Sequence, residues 1–305
     1  MRRERLGLIL VLCAVTGYAF LPIFAARLRE NGMAPFDVPF WRYLFTVPLF
    51  WLIALRGVRA LIVRRLPRTG LILLGFVLAI EALMSFIGLA YISPGIYLVL
   101  YYTFPAMTAI LSALMGERLG AVGWGALAIT LLGVTLTIAD FDLTGRDQAW
   151  IGVVCALINA ALASVYFISM DRMLRGRNAT ETAGAITATG ALVFLGVLAL
   201  VRGASSITLS APNGIDGWMA LAGLVVISTL IPLVTMNKGI QAAGASRAAI
   251  FGTIEPLLTA ILAQLILQVT MQPIQWVGGL LVVASVVLLQ LRGGDGTPEA
   301  AAAAL

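Results

Sequence analysis

The sequence predicts an all-α integral membrane protein of ten transmembrane helices, built as two inverted five-helix repeats with both N- and C-termini cytoplasmic. Three observations carry this expectation: apolar runs of membrane-spanning length, the placement of arginine and lysine between them, and a similarity between the two halves of the chain. Of the 305 residues 61% are hydrophobic and 11% charged, and the mean hydropathy is +1.01. A soluble domain of that composition would still need a charged surface. Here the charges gather in short stretches between apolar runs of about 20 residues, the length that crosses a hydrocarbon core. Membrane β-strands would be shorter and would alternate apolar with polar residues.

The first run, Leu6–Ala26, follows Arg2, Arg3 and Arg5 as a signal peptide would. Its apolar part is too long for a signal h-region, so it is expected to remain as the first helix. Phe36–Leu55, Gly70–Ala90, Gly95–Met115 and Ala121–Ala139 complete the first half. Ala149–Met170, Glu181–Val201, Asp216–Asn237, Ser246–Ile266 and Pro273–Gln290 form the second. Turn formers mark the links at Ser93-Pro94-Gly95, Asp142 to Gly145, and Ala211-Pro212-Asn213-Gly214. The repeats are thus expected at residues 6–139 and 149–291, and residues 292–305 as a flexible C-terminal tail.

With the N-terminus inside, cytoplasmic segments hold 15 of the basic residues and outer segments only Arg27, Arg29, Arg146 and Arg202. Arg42, within a span, completes the 20. This bias fixes the orientation and supports an even number of crossings. Trp124, Trp150, Trp218 and Trp276 fall near span starts, where aromatic rings anchor at the headgroups. The expected setting is a bacterial inner membrane. The sequence pI near 9.8 does not indicate nucleic acid, because the basic residues mark helix ends and form no patch. Histidine is absent, and Cys13 and Cys155 lie in separate apolar runs, so neither a metal site nor a disulfide framework nor any cofactor is implied.

Because each half has five spans, the second must enter from the opposite side, and similarity between halves implies an inverted repeat. Pro105-Ala-Met-Thr-Ala-Ile-Leu111 aligns with Pro256-Leu-Leu-Thr-Ala-Ile-Leu262, Trp124 falls near the register of Trp276, and Gly7 and Gly152 open the first helix of each half. A fourth helix with a mid-span proline, then Gly116-Glu117-Arg118, then Gly133 in the fifth helix, resembles the EamA family of the drug/metabolite transporter superfamily over nearly the whole chain. In the second half Leu267-Gln268 replaces the Gly-Glu pair, which removes the basis for a symmetric role of that pair. The resemblance implies a ten-helix basket that alternates between inward and outward openings and exports amino acids or related metabolites, with amino-acid exporters of the YddG type as the nearest comparison.

Ionisable groups within a span are costly, about 2.5–3.5 kcal/mol on insertion scales, and so invite a functional reading. Glu81 lies midway along the third span; it either pairs with Arg42, stays protonated, or binds a substrate ammonium. Arg42, in the second span, either snorkels to the outer headgroups or faces substrate. Glu255, mid-span in the ninth, either repairs the helix interrupted by Pro256 or lines the site. Tyr97, Tyr101, Pro105 and Thr108 share one helix face, and their counterparts at an offset of 151 are Ala248, Gly252, Pro256 and Thr259. Tyrosines facing small residues across a pseudo-twofold interface leave an asymmetric, aromatic-walled pocket or pack as ordinary filler. Pro105 and Pro256 would act as hinges or expose carbonyls. Tyr18 and Asn159 are the deepest polar groups of the first and sixth spans.

These residues suit a carrier working by alternating access, most simply an exporter of amino acids with aromatic or other apolar side chains, since opposite charges in an aromatic cavity fit a zwitterion. A multidrug or nucleotide-type metabolite carrier of the same fold is the alternative. A membrane-embedded enzyme is disfavoured, because no metal constellation and no nucleophile with a base is legible. The expected partners are a small-molecule substrate and the lipid bilayer, with the chain a monomer or weak homo-oligomer.

Overall fold

The computed structural model describes residues 2–57, 66–104, 148–174, 180–204, 209–243, 255–268 and 272–293, together with isolated positions between 107 and 136. Among these residues the elements are helical throughout. They run α1 (Arg2–Ala19), α2 (Leu21–Glu30), α3 (Val38–Gly57), α4 (Arg68–Tyr91), α5 (Pro94–Tyr101), α6 (Ala149–Leu174), α7 (Thr180–Ala204), α8 (Gly214–Val225), a π-helical turn (Val226–Leu230), α9 (Ile231–Ala243), α10 (Glu255–Leu267) and α11 (Pro273–Gly293). Six segments are long and apolar enough to cross a membrane: Arg5–Glu30, Val38–Leu55, Arg68–Tyr91, Ala149–Tyr166, Glu181–Gly203 and Gly214–Met236. They coincide with the first three and the sixth to eighth runs of the sequence. The helix α11 covers the tenth.

Two of these spans are broken where sequence reading treated them as continuous. Pro22 has no N–H to give the Tyr18 carbonyl and its ring crowds that position, so α1 and α2 separate at Phe20. Pro232 stands in the same relation to Ser228, and there the eighth span widens into the π turn. The breaks meet: a side chain on Gly17 would collide with the Ile227 carbonyl and the Pro232 ring, and the Ser228 hydroxyl donates to the Gly17 carbonyl at 2.7 Å. The end of α2 is sharply defined. Gly32 takes a positive φ of 80°, the Gly32 and Met33 N–H groups bond back to Arg29 and Leu28 carbonyls, and Met33 packs in one cluster with Leu28.

The helices pair across the halves of the chain. From the first half, α1 packs along α9 of the second and α4 along α6; α3 and α4 both pack on α7, and α5 touches α6 and α10. The two long pairs use matched glycines. Gly239 presses on Val11 and the Gly7 carbonyl, and Gly152 on Ile92 and the Gly88 carbonyl. Gly88 and Gly239 stand 151 residues apart, the offset that relates Pro105 to Pro256. Close backbone approach is what holds helices together where lipid is as apolar as the side chains. Trp150 and Trp218 remain 58% and 43% exposed, as interfacial anchors should be. Trp124 lies outside the described residues.

One polar cluster joins the start of α3 to the segment after α7. Asp37, 1% exposed, is ion-paired with Arg202 and accepts hydrogen bonds from the Ser210 amide and hydroxyl at 2.9 and 2.8 Å. The Ala34 amide donates to the Ser210 hydroxyl, the Trp41 indole N–H donates to the Ser210 carbonyl, and the Arg202 guanidinium covers the Phe36 ring at 4.4 Å. Charge bias had assigned Arg202 only a topological role. Replacing Asp37 with alanine leaves Arg202 without its anion, although its partial exposure lets water compensate in part. The expected loss is about 2 kcal/mol, read as a lower thermal midpoint in detergent. An unchanged midpoint would mean that the cluster adds no stability.

Candidate functional site

The chemistry-bearing side chains converge where the broken spans meet. Arg42 is 9% exposed, and its Nε–H donates to Thr229 Oγ1 at 2.8 Å; Thr229 itself donates to the Leu224 carbonyl five residues back. That five-residue reach belongs to the π turn, so the irregular backbone of the eighth span positions the guanidinium. Its carbon lies 5.6 Å from the Tyr43 ring centre and 6.0 Å from that of Phe86. The snorkelling alternative for Arg42 is therefore overturned: the side chain turns into the protein, because a hydroxyl and two ring faces replace the water it would otherwise seek.

Glu81 lies midway along α4. Its Oε1 is buried and accepts no hydrogen bond. Glu81 interacts electrostatically with Arg42, Tyr43, Tyr97, Tyr101 and Tyr166, yet Arg42 and Glu81 form no contact ion pair. The pairing alternative thus reduces to a long-range interaction. Glu255 accepts a hydrogen bond from the Tyr102 hydroxyl at 3.0 Å, so this carboxylate is engaged across the halves. Helix repair beside Pro256 is not the use the structure gives its Oε2.

Asn159 bridges three helices: its Nδ2 donates to Ser85 Oγ and to Tyr97 Oη, each at 2.8 Å, while its buried Oδ1 accepts no hydrogen bond. Tyr97 is buried, 3% exposed, and packs beside Gly88. Tyr101 differs. Its ring meets Tyr102 edge-on at 5.8 Å and Phe104 at 5.4 Å, and it interacts with both Glu81 and Glu255. Tyr18 interacts with Glu255 and with Arg42. Tyr102 joins Glu255 to the Tyr101 and Phe104 rings, and Tyr43 lies under Arg42.

Tyr18, Glu81, Tyr101, Tyr166 and Glu255 are all half-buried. Gly252, Pro105 and Thr108 lie outside the described residues. Pro256 follows Glu255 in α10, and the residues before Glu255 lie outside the described residues. Hinge-like features among the described residues also lie at Pro22 and Pro232, which sequence reading passed over although both prolines stand inside apolar runs. Thr229, Tyr43, Tyr102 and Tyr166 were also missed. A lone threonine or tyrosine in a span has no distinguishing pattern, and only the fold brings these four to the charged residues.

Comparison with known proteins adds a family. The profile of the EamA-like transporter family matches residues 5–139 and again residues 150–291. An uncharacterized transporter of Synechocystis sp. PCC 6803 is 30% identical over 70% of this chain and 64% of its own length. The uncharacterized transporter YcbK of Bacillus subtilis strain 168 is 25% identical over 91% of this chain and 90% of its own. The uncharacterized inner membrane transporter YedA of Escherichia coli K12 is 24% identical over 65% of this chain, a match that spans 62% of that relative. A solved crystal structure superposes with a TM-score of 0.63 at 18% identity, covering 93% of this chain and 96% of the other, a likeness of fold.

Proposed function

We propose that this chain, which belongs to the EamA-like transporter family, carries a small metabolite across a bacterial inner membrane by alternating access. The supporting observation is a buried Arg42 held by Thr229 of the π turn, and a Glu81 Oε1 that the protein leaves without a hydrogen bond, beside the junction of two proline-broken spans. Carriers bind near the bilayer midplane at repeat interfaces, often beside interrupted helices. The matched glycine contacts of α1–α9 and α4–α6 support two repeats that exchange under a pseudo-twofold axis. In this reading the repeats are inverted, ten helices cross the membrane, and both termini face the cytoplasm.

The finer reading is export of an amino acid. Its carboxylate would approach Arg42, its ammonium Glu81, and its aromatic or apolar side chain the tyrosine rings. Counterflow of a labelled amino-acid panel in proteoliposomes containing only this protein is the test. Saturable exchange is expected; a folded, correctly inserted protein that exchanges neither amino acids nor other metabolites would defeat the carrier reading. Tyr101→Ala is expected to weaken apparent affinity about tenfold, whereas an unchanged affinity and substrate profile would assign Tyr101 to packing.

A further inference from the structure

Arg42 is covered from one end of the molecule by an apolar plug. Leu28, Met33, Val38, Phe86, Leu221 and Leu224 form one cluster, and none is more than 2% exposed. They come from α2, the α2–α3 link, α3, α4 and α8, so both halves of the chain contribute. The plug rests directly on the site. The Phe86 ring centre stands 6.0 Å from the Arg42 guanidinium carbon, and the Leu224 carbonyl accepts a hydrogen bond from Thr229, the residue that holds Arg42. On the other side Phe86, Met33 and Val38 help to line a surface recess together with Arg29, which is exposed and donates to the Leu89 carbonyl at 3.2 Å. Phe86 thus borders both the recess and the guanidinium.

Beside the plug, a polar strip joins the two halves. Residues 31–37 belong to the first half and residues 209–213 to the second. Asp37 pairs with Arg202 and accepts the Ser210 amide and hydroxyl, the Ala34 amide donates to that hydroxyl, and the Asn213 amide donates to the Asn31 carbonyl at 3.0 Å. Ala34 and Asp37 are the chain neighbours of Met33 and Val38, so the strip holds the link that carries two members of the plug. Hydrogen bonds and ion pairs at a surface exchange for water at small net cost. The Arg202 side chain, 23% exposed, already meets water. Such contacts suit a joint that opens and closes. A permanent joint has no need of them, and the tight packing of α4 on α7 is made instead from Gly75 and Gly190 set against backbone.

We propose that Asp37, Arg202 and Ser210 are the latch of a gate whose innermost barrier is the Phe86 ring, and that the structure shows this gate shut. When the latch releases, the 31–37 link parts from residues 209–213, the plug loses Met33 and Val38, and the recess deepens past Phe86 to Arg42. The outer end is where the proposed orientation puts this gate. The inference rests on the carrier reading for what passes through, and on the contacts above for where the barrier lies.

Accessibility of a thiol behind the plug tests the inference on the full-length protein in membrane vesicles of both orientations. Cys13 and Cys155 are replaced, and Thr229→Cys places the reporter beside Arg42, at a position 0% exposed. A membrane-impermeant cationic methanethiosulfonate is applied to one face at a time. Asp37→Asn is expected to speed labelling about tenfold, from the outer face only. Phe86→Ala, which removes the ring and leaves the latch, should do the same. Ser210→Ala, which deletes only the bridging hydroxyl, should give a smaller rise and serves if Asp37→Asn does not fold. General loosening is told apart by a second reporter, Thr187→Cys, also 0% exposed and about 22 Å along α7 from Arg202. It should stay as unreactive in every variant as in the parent. Unchanged labelling at position 229, a rise from the inner face, or an equal rise at position 187 overturns the inference. Counterflow with the parent protein separates the two levels. Faster labelling in a protein that exchanges no metabolite would sink the carrier reading and leave the gate standing. Exchange with labelling unmoved by any of the three variants would do the reverse.

Discussion

Glu81→Gln is expected to lower saturable transport by about a hundredfold, the loss that follows when one member of a buried, functionally engaged charge constellation is removed. The substitution keeps the shape of the side chain and its place in α4. It removes a charge whose burial is costly and whose Oε1 the protein does not satisfy, so folding should be as stable as before or slightly more so. The two readouts therefore move in different directions. A structural carboxylate would behave otherwise: its loss would destabilise the fold, and transport would fall only with the amount of folded protein. Initial rates of counterflow, normalised to folded protein by size-exclusion chromatography, distinguish these cases. A variant that transports like the wild type over a broad pH range would remove Glu81 from the site. Arg42 supplies an internal check. With Glu81 neutral, the guanidinium loses its nearby anion but keeps Thr229 and the Tyr43 and Phe86 faces, so it should stay in place.

The six spans found among the described residues were legible because they depend on run length and composition, which survive in one dimension. The charged candidates were conspicuous for a related reason: Arg42, Glu81 and Glu255 stand out against an apolar background, and the cost of burying them is independent of the fold. What each one touches was not legible. Whether Arg42 turns outward or inward depends on a hydroxyl 187 residues away, presented by a π turn that no local pattern announces. The breaks at Pro22 and Pro232 were signalled by the prolines themselves. Their meaning came only from the packing of Gly17 against Pro232, which makes two local irregularities one joint. Asp37 shows the opposite limit. It looks like a solvated residue at the start of a span, yet Ser210 and, at the end of α7, Arg202 bury it.

Gly75→Ala is expected to be the most destabilising single methyl addition among the positions considered, at about 3 kcal/mol. Gly75 lies in α4 against α7, and a Cβ there would stand 2.3 Å from the Thr187 carbonyl oxygen and 2.7 Å from the Ala191 nitrogen. The contact is mutual, since a Cβ on Gly190 of α7 would meet the Ile72 carbonyl oxygen at 2.4 Å. These obstacles are backbone atoms, which no rotamer change can clear, so the helices must part along their length. Separation would also loosen the packing around Ala79, Ala82, Leu83, Ala188 and Ala191, a cluster shared by α3, α4 and α7. Because α4 carries Glu81 less than two turns beyond Gly75, transport should fall along with the thermal midpoint. Gly125→Ala is the control: a Cβ there meets nothing within 4 Å, and the higher helix propensity of alanine should leave stability unchanged or raise it by up to about 1 kcal/mol. Opposite signs in the two variants, read as thermal midpoints in the same detergent, would identify backbone contact between α4 and α7 as the source of the effect. Equal midpoints would mean that these helices have room to move apart, and the tight pairing that positions Glu81 would lose its main support.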